Sequence, residues 1–364
     1  MSEADPRRNV RRGSLLSLTS AVLFGVSAPL IKLLLPSASP LVVAGLLYLG
    51  AGLVLALPLA MGVRLRTPRE APLVRDDLPT LAGVVGLGGI AGPVLLLVGL
   101  ERVSGVAGSL LLNLEAPLTI LVAVLLFGEH VGRRGMAALG LVLLGAVLLG
   151  ARGGDVRVDP LGLLAIAAAC LCWAFDNNLT QRLSGKDPIA LTRVKCLAAG
   201  ATNLALGLAV GGTLPTPWML GATVLVGVAS YGLSLVLATL ALRAIGAARH
   251  AVHFSTAPFV GALASIPILG EVPRWVDLVG MTVMAFGIAV LLREQHRHPH
   301  AHDELEHDHK HRHDEHHRHD HPPGLAPDEP HAHPHRHERL VHDHAHASDL
   351  HHRHAHAHGG DSGA

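Results

Sequence analysis

Across its first 293 residues this chain lacks the feature that would mark a water-soluble protein of its length: charged residues recurring at helical spacing through the apolar segments. Charge is concentrated in short breaks. What lies between them is about ten apolar runs of roughly 18–24 residues, each long enough to cross a ~30 Å hydrocarbon core. Their expected spans are 14–35, 40–62, 78–99, 104–127, 134–151, 160–182, 188–211, 217–242, 245–269 and 274–293. Cysteine is scarce too. Cys170, Cys172 and Cys196 all fall within these runs and form no C-x-x-C pair, so a disulfide framework is excluded and they read as small core residues. There is no H-E-x-x-H, no G-x-S-x-G and no glycine-rich phosphate loop, which argues against an enzyme. The formal net charge of +1 gives no reason to expect a nucleic-acid partner. The expected fold class is therefore an all-α polytopic membrane protein whose first partner is the lipid bilayer.

The first apolar run follows Arg-Arg-Asn-Val-Arg-Arg, but it is too long for a signal-peptide core and nine more runs follow, so it reads as a retained helix. With the N-terminus inside, the inner breaks hold fourteen Lys and Arg, from Arg7 to Arg249. The outer ones hold four, Arg102, Arg152, Arg157 and Arg274. Positive charge favours the cytoplasmic side, which places both termini there and requires an even number of crossings of the cytoplasmic (inner) membrane. Glycine spacing such as Gly88 and Gly92 suits close helix packing in lipid.

The chain also repeats itself. Segments beginning at Leu114 and Ser255 each carry Ala-Pro, an apolar stretch, Gly-Glu and a second apolar run. Glu129 precedes Ala138 and Gly145 by 9 and 16 residues, as Glu271 precedes Gly280 and Gly287; Gly105 precedes Pro117 by twelve, as Gly246 precedes Pro258. "LFGVSAPLIK" aligns with "CWAFDNNLTQ". Five helices, doubled, give units at 14–151 and 160–293, flanked by an N-terminus at 1–13 and a tail at 294–364. An odd number of crossings per unit inverts the second copy, the usual construction for alternating access. These duplicated blocks and the Trp-Ala of "CWAF" resemble the drug/metabolite transporter superfamily, EamA type. The resemblance implies ten helices around a central cavity and secondary transport of a small solute, often export, without fixing the substrate.

Ionisable and amide groups within the spans are candidates for substrate binding or coupling, because hydrocarbon makes them costly. Asp176 and Asn177 lie about six residues, roughly 9 Å, from the inner end of the sixth helix, and Lys195 lies at matching depth on the seventh, so an ion pair is expected. Asn113 and Glu115, next to a carbonyl that Pro117 leaves without a donor, make a second polar point near mid-membrane. His250 and His253 share a face of the ninth helix, and Asn203 with Ser230, Tyr231 and Ser234 are further lining candidates. Glu129 and Glu271 each precede a helix and are expected to complement its N-terminus.

The tail differs entirely. Of 27 histidines, all but His130, His250 and His253 lie there, interleaved with Asp and Glu. With no apolar periodicity it is expected to be disordered. Its His-x-His spacing suits Ni, Co, Zn or Cu, with His307, His309, His311, His313, His316, His317, His319, His321, His351, His352 and His354 as candidate ligands. The combined expectation is an exporter that moves or senses a transition metal, with Glu115, Asp176, His250 and His253 as membrane ligands. The alternative is an exporter of an organic metabolite or drug whose tail is an accessory buffer. No cofactor is required, and the assembly is a monomer or homodimer.

Overall fold

The structure is a computed structural model that describes residues 6–61, 73–127, 133–150, 159–183, 186–245, 247–291, 296–302, 305–311, 331–337 and 340–346. Apolar stretches in lipid have no water to satisfy backbone N–H and C=O groups, so they fold as helices. The helices in order are α1 (Pro6–Gly25), α2 (Ser27–Leu34), α3 (Pro40–Ala60), α4 (Leu78–Gly83), α5 (Gly92–Leu100), α6 (Gly105–Leu111), α7 (Glu115–Phe127), α8 (Arg133–Gly150), α9 (Pro160–Arg182), α10 (Pro188–Ala209), α11 (Pro217–Gly227), α12 (Ser234–Ile245), α13 (Ala247–Phe254), α14 (Ala257–Leu269) and α15 (Trp275–Leu291). Several of these are halves of one crossing: α1 with α2, α4 with α5, α6 with α7, α11 with α12, and α13 with α14. Among the described residues, eight helices are long and apolar enough to cross a membrane, and two shorter apolar ones, Arg134–Leu149 and Trp275–Leu291, lie against each other as α8 on α15.

Local chemistry sets the ends. Pro188 opens α10, whose first N–H groups at Ile189 and Ala190 are taken by the Asp187 carboxylate at 2.9 and 3.1 Å. Gly270 closes α14 at φ 65°, a conformation that costs glycine nothing. Two crossings are interrupted by π-helical segments, Val84–Ala91 and Val228–Leu233. A π segment displaces carbonyls from their regular partners, and side chains answer here: Gly88 O accepts from Tyr48 Oη at 3.2 Å and Trp173 Nε1 at 3.1 Å, and Gly89 O accepts from Asn203 Nδ2 at 3.1 Å. The buried core joins Val43, Leu47, Leu97, Leu110, Ile166 and Met284. Large apolar side chains that point outward, such as Leu125, Val147 and Phe286, suit a lipid-facing surface.

Helices approach closely where glycine allows it. A methyl at Gly227 would stand 2.1 Å from Leu47 O, and one at Gly25 2.2 Å from Ala257 O.

The described residues of the tail form four seven-residue strands, β1 (His296–His302), β2 (Leu305–His311), β3 (His331–His337) and β4 (Leu340–His346), with β1 antiparallel to β4 and β2 to β3. The registers set His298 opposite His344 and His309 opposite His333. His-x-His alternation has period two, which is also the repeat of a strand, so it is compatible with extended pairing. Of the candidate ligands only His307, His309 and His311 are in these strands. His313, His316, His317, His319, His321, His351, His352 and His354, like Glu129, lie outside the described residues.

Gly227→Ala should lower stability by about 1–3 kcal/mol, because a backbone carbonyl cannot move aside as a side chain can. Gly140→Ala, where nothing lies within 4 Å, should be neutral or slightly stabilising. Thermal unfolding in detergent compares the two.

Candidate functional site

The face from which α1 starts is called near, and the opposite one far. One group of polar residues in the membrane interior links α9 to α7 and to α10 in the near half. Asn177, on an exposed strip of α9, donates through Nδ2 to Glu115 Oε1 at 2.9 Å and to Thr119 Oγ1 at 3.3 Å. Thr119, one turn beyond Glu115 on the same face, donates back to Glu115 O at 2.8 Å. Asn178 ties the same helices by donating to Thr119 O at 3.1 Å and to Ala174 O at 2.8 Å. On the adjoining face of α9, Asp176 is buried and forms an ion pair with Lys195 of α10, and Thr180 donates to its other oxygen at 3.3 Å. Gly88 of the first π segment makes room for that carboxylate, since a methyl there would lie 2.1 Å from Asp176 Oδ2.

The cluster thus holds two carboxylates and one ammonium. Asp176 is matched by Lys195, whereas the hydrogen bond to Glu115 comes from a neutral amide. An exposed amide next to a carboxylate within a membrane span faces water more favourably than lipid. The arrangement can receive a cationic or hydrogen-bonding group at Glu115 while the neighbouring pair stays intact.

Not every expected member joins it. Asn113 and Glu115 are two residues apart, about 200° around a helix, so they cannot share a face. Asn113 is buried and donates to Leu110 O at 2.9 Å and toward Met284 Sδ of α15 at 4.0 Å. His250 lies beside α1, its Nδ1 at 2.8 Å from Ser17 Oγ, and its ring is 5.4 Å from Phe254. His253 has a buried Nδ1 without a hydrogen-bond partner among the described residues. Asn203 is fully buried on the first π segment, Ser230 donates to Leu23 O at 3.0 Å, and Ser234 exchanges hydrogen bonds with Ser20. Among the described residues no three His, Cys, Asp or Glu side chains come together to hold a metal ion, so Glu115, Asp176, His250 and His253 are not one metal site. Glu115 meets α9, Asp176 meets α10 and His250 meets α1.

Glu271 corrects a further expectation. It does not complement α15, whose start is served by Asp277 accepting from Arg274 N at 2.8 Å; it crosses to α6, accepting from Gly105 N at 2.6 Å and Val106 N at 2.8 Å. Thr119 was not foreseen, although its i+4 spacing from Glu115 was visible. Lys32, inside the first span, was a legible intramembrane charge that also went unassigned.

Two stretches, 11–151 and 160–293, match the model of the EamA-like transporter family. The chain belongs to that family. An uncharacterized transporter of Methanothermobacter thermautotrophicus is 30% identical over 288 residues, covering 75% of this chain and 84% of that protein. A protein of known crystal structure shares the fold with TM-score 0.56 and 22% identity, covering 76% of this chain and 95% of its own. An EamA-like chain is a multi-pass membrane transporter, and the α7–α9–α10 cluster is where this one joins two carboxylates and an ammonium inside its spans.

Asp176→Asn leaves the Lys195 ammonium half-buried without its partner and should cost about 3 kcal/mol, whereas Asp176→Asn with Lys195→Met should recover most of that. Thermal unfolding of the purified single and double variants measures the difference.

Proposed function

We propose that this chain is a secondary carrier that exports a small organic solute by alternating access, with the solute or its coupling proton engaging Glu115. The single observation behind this reading is the Glu115–Asn177–Thr119 group: a carboxylate inside the membrane that accepts from an amide, itself also held by a threonine hydroxyl, beside an ion pair whose one ammonium is already matched. A group that brings positive charge, either an amine of the solute or a proton, completes the balance. The duplicated sequence blocks and the two matches to one family model support an inverted repeat, five crossings in each unit. The paired π segments, one in each half, agree with it. In this reading the near face is cytoplasmic, both termini lie there, and the membrane is the inner one.

The tail supports a second role, binding of Ni, Co, Zn or Cu next to the membrane. Histidines standing opposite histidines in both strand pairs favour it over an inert tail. The metal is then held at the cytoplasmic surface as a buffer or sensor, not carried through the interior, because the described membrane residues gather no metal-binding group.

In proteoliposomes screened with amines, amino acids and neutral metabolites, Glu115→Gln should reduce exchange of the transported solute by roughly tenfold or more, as expected on removing a charged partner from a desolvated site. Undiminished exchange would overturn the assignment. Deleting residues 296–364 should abolish high-affinity binding of Ni, Co, Zn and Cu in equilibrium dialysis while leaving solute exchange intact. Loss of metal transport by that deletion would favour a metal carrier instead.

A further inference from the structure

Two charges at the far face, Lys32 and Glu271, take no part in the α7–α9–α10 cluster, yet both are partly shielded and fully committed. Lys32, near the end of α2, donates to Leu100 O at 2.6 Å and to Val103 O, the carbonyl end of α5. Glu271, in the connection from α14 to α15, accepts with both oxygens from the first N–H groups of α6. A cation thus sits at the negative end of one helix and an anion at the positive end of the next, so the short α5–α6 turn is gripped by one charge from each half of the chain.

Beneath this grip the far halves of three crossings touch. α2 packs on α6 and on α14, and α14 on α6. Contact is close: a methyl at Gly105 would stand 2.3 Å from the Leu269 side chain, and one at Gly261 2.6 Å from the backbone oxygen of Gly25 and 2.9 Å from Ser109 Oγ. Of the near halves of the same crossings, two stay together and one does not. α7 packs on α9, whereas α13 stays on α1 and also meets α12; Asn177 and Ala116 are exposed.

We infer that Lys32 and Glu271 form a latch that holds the far end of the transport path shut, and that the described conformation is closed at the far face and open to the near one. The inference presupposes the carrier reading only in that the latch releases during a cycle. Its chemistry suits release. The N–H groups of Gly105 and Val106 are helix-terminal donors with no intrahelical partner, so water at the membrane surface can replace the Glu271 carboxylate without orphaning them. The Lys32 ammonium and its carbonyl partners can exchange with water in the same way. Apolar packing alone, once pulled apart, has no such substitute.

The test uses the full chain with Cys170, Cys172 and Cys196 replaced by Ala and one reporter cysteine introduced, Ser109→Cys in the far-side contact or Ala116→Cys in the near-side opening. A membrane-impermeant maleimide is applied from each face of reconstituted vesicles. In the parent, Ser109→Cys should resist labelling from the far face and Ala116→Cys should label from the near face. Adding Glu271→Ala or Lys32→Ala should raise far-face labelling at position 109 by roughly tenfold and slow labelling at 116, the reciprocal change expected of a shifted two-state equilibrium. Glu271→Gln, which keeps the shape and loses the charge, should act in the same direction and serves if the Ala variant is not monodisperse. Unchanged labelling at 109 in the Lys32 and Glu271 variants, or ready labelling in the parent, would overturn the latch. No solute is needed for this measurement. Shifted labelling without solute exchange would therefore sink the carrier reading alone, and exchange without shifted labelling would sink the latch alone.

Discussion

The backbone has no water to lean on between the two faces of this protein, and that constraint shapes everything else in it. An unbroken helix satisfies its own N–H and C=O groups, so each place where helical hydrogen bonding is interrupted must borrow partners from other elements. Here the interruptions carry the polar chemistry. The π segment at Val84–Ala91 borrows Tyr48, Trp173 and Asn203, and it passes next to Asp176 through the space left by Gly88. The 3-10 turn at Leu112–Leu114 immediately precedes Glu115. The turn between α5 and α6 borrows Lys32 and Glu271. Polar side chains in this fold therefore have two employments, repair of the backbone and contact with something that comes and goes. Glu115 and Asn177, which bond each other at an exposed surface, are the clearest case of the second.

The two polar centres lie at different depths and on different helices, so they can be coupled only through the crossings they share. The α6–α7 crossing is one such shared element. Its far half is gripped by Glu271, and its near half carries Glu115 and Thr119, with a short 3-10 turn between them. A movement of this crossing about its turn would alter both ends at once, which is the kind of bistable element that alternating access needs.

How much of this was legible in advance depended on whether the signal was local. Long apolar runs, their breaks and the Gly-Glu duplication are properties of neighbouring residues, and matching depth on consecutive antiparallel helices was enough to suggest Asp176 with Lys195. Helical phase, had it been applied to Asn113 and Glu115, would have separated them, since two residues span about 200°. His250 and His253 share a face as spacing says, but which helix that face meets is a tertiary matter, and it is α1 with Ser17. Glu271 lies near the start of α15 in sequence and caps α6 in space, because the fold brings a helix start more than 160 residues away closer to the carboxylate.

The sequence by itself determined that the chain crosses a membrane many times, roughly where it does so, and that its tail is a separate histidine-rich segment, because burial in lipid depends on runs of composition. Only the tertiary structure decided which carboxylate meets a cation and which an amide, which helix each cap serves, and where glycine permits backbones to touch. Those outcomes depend on angles and distances between helices far apart in the chain. Hydrocarbon exerts the same pressure on every apolar residue and cannot by itself choose among the partners.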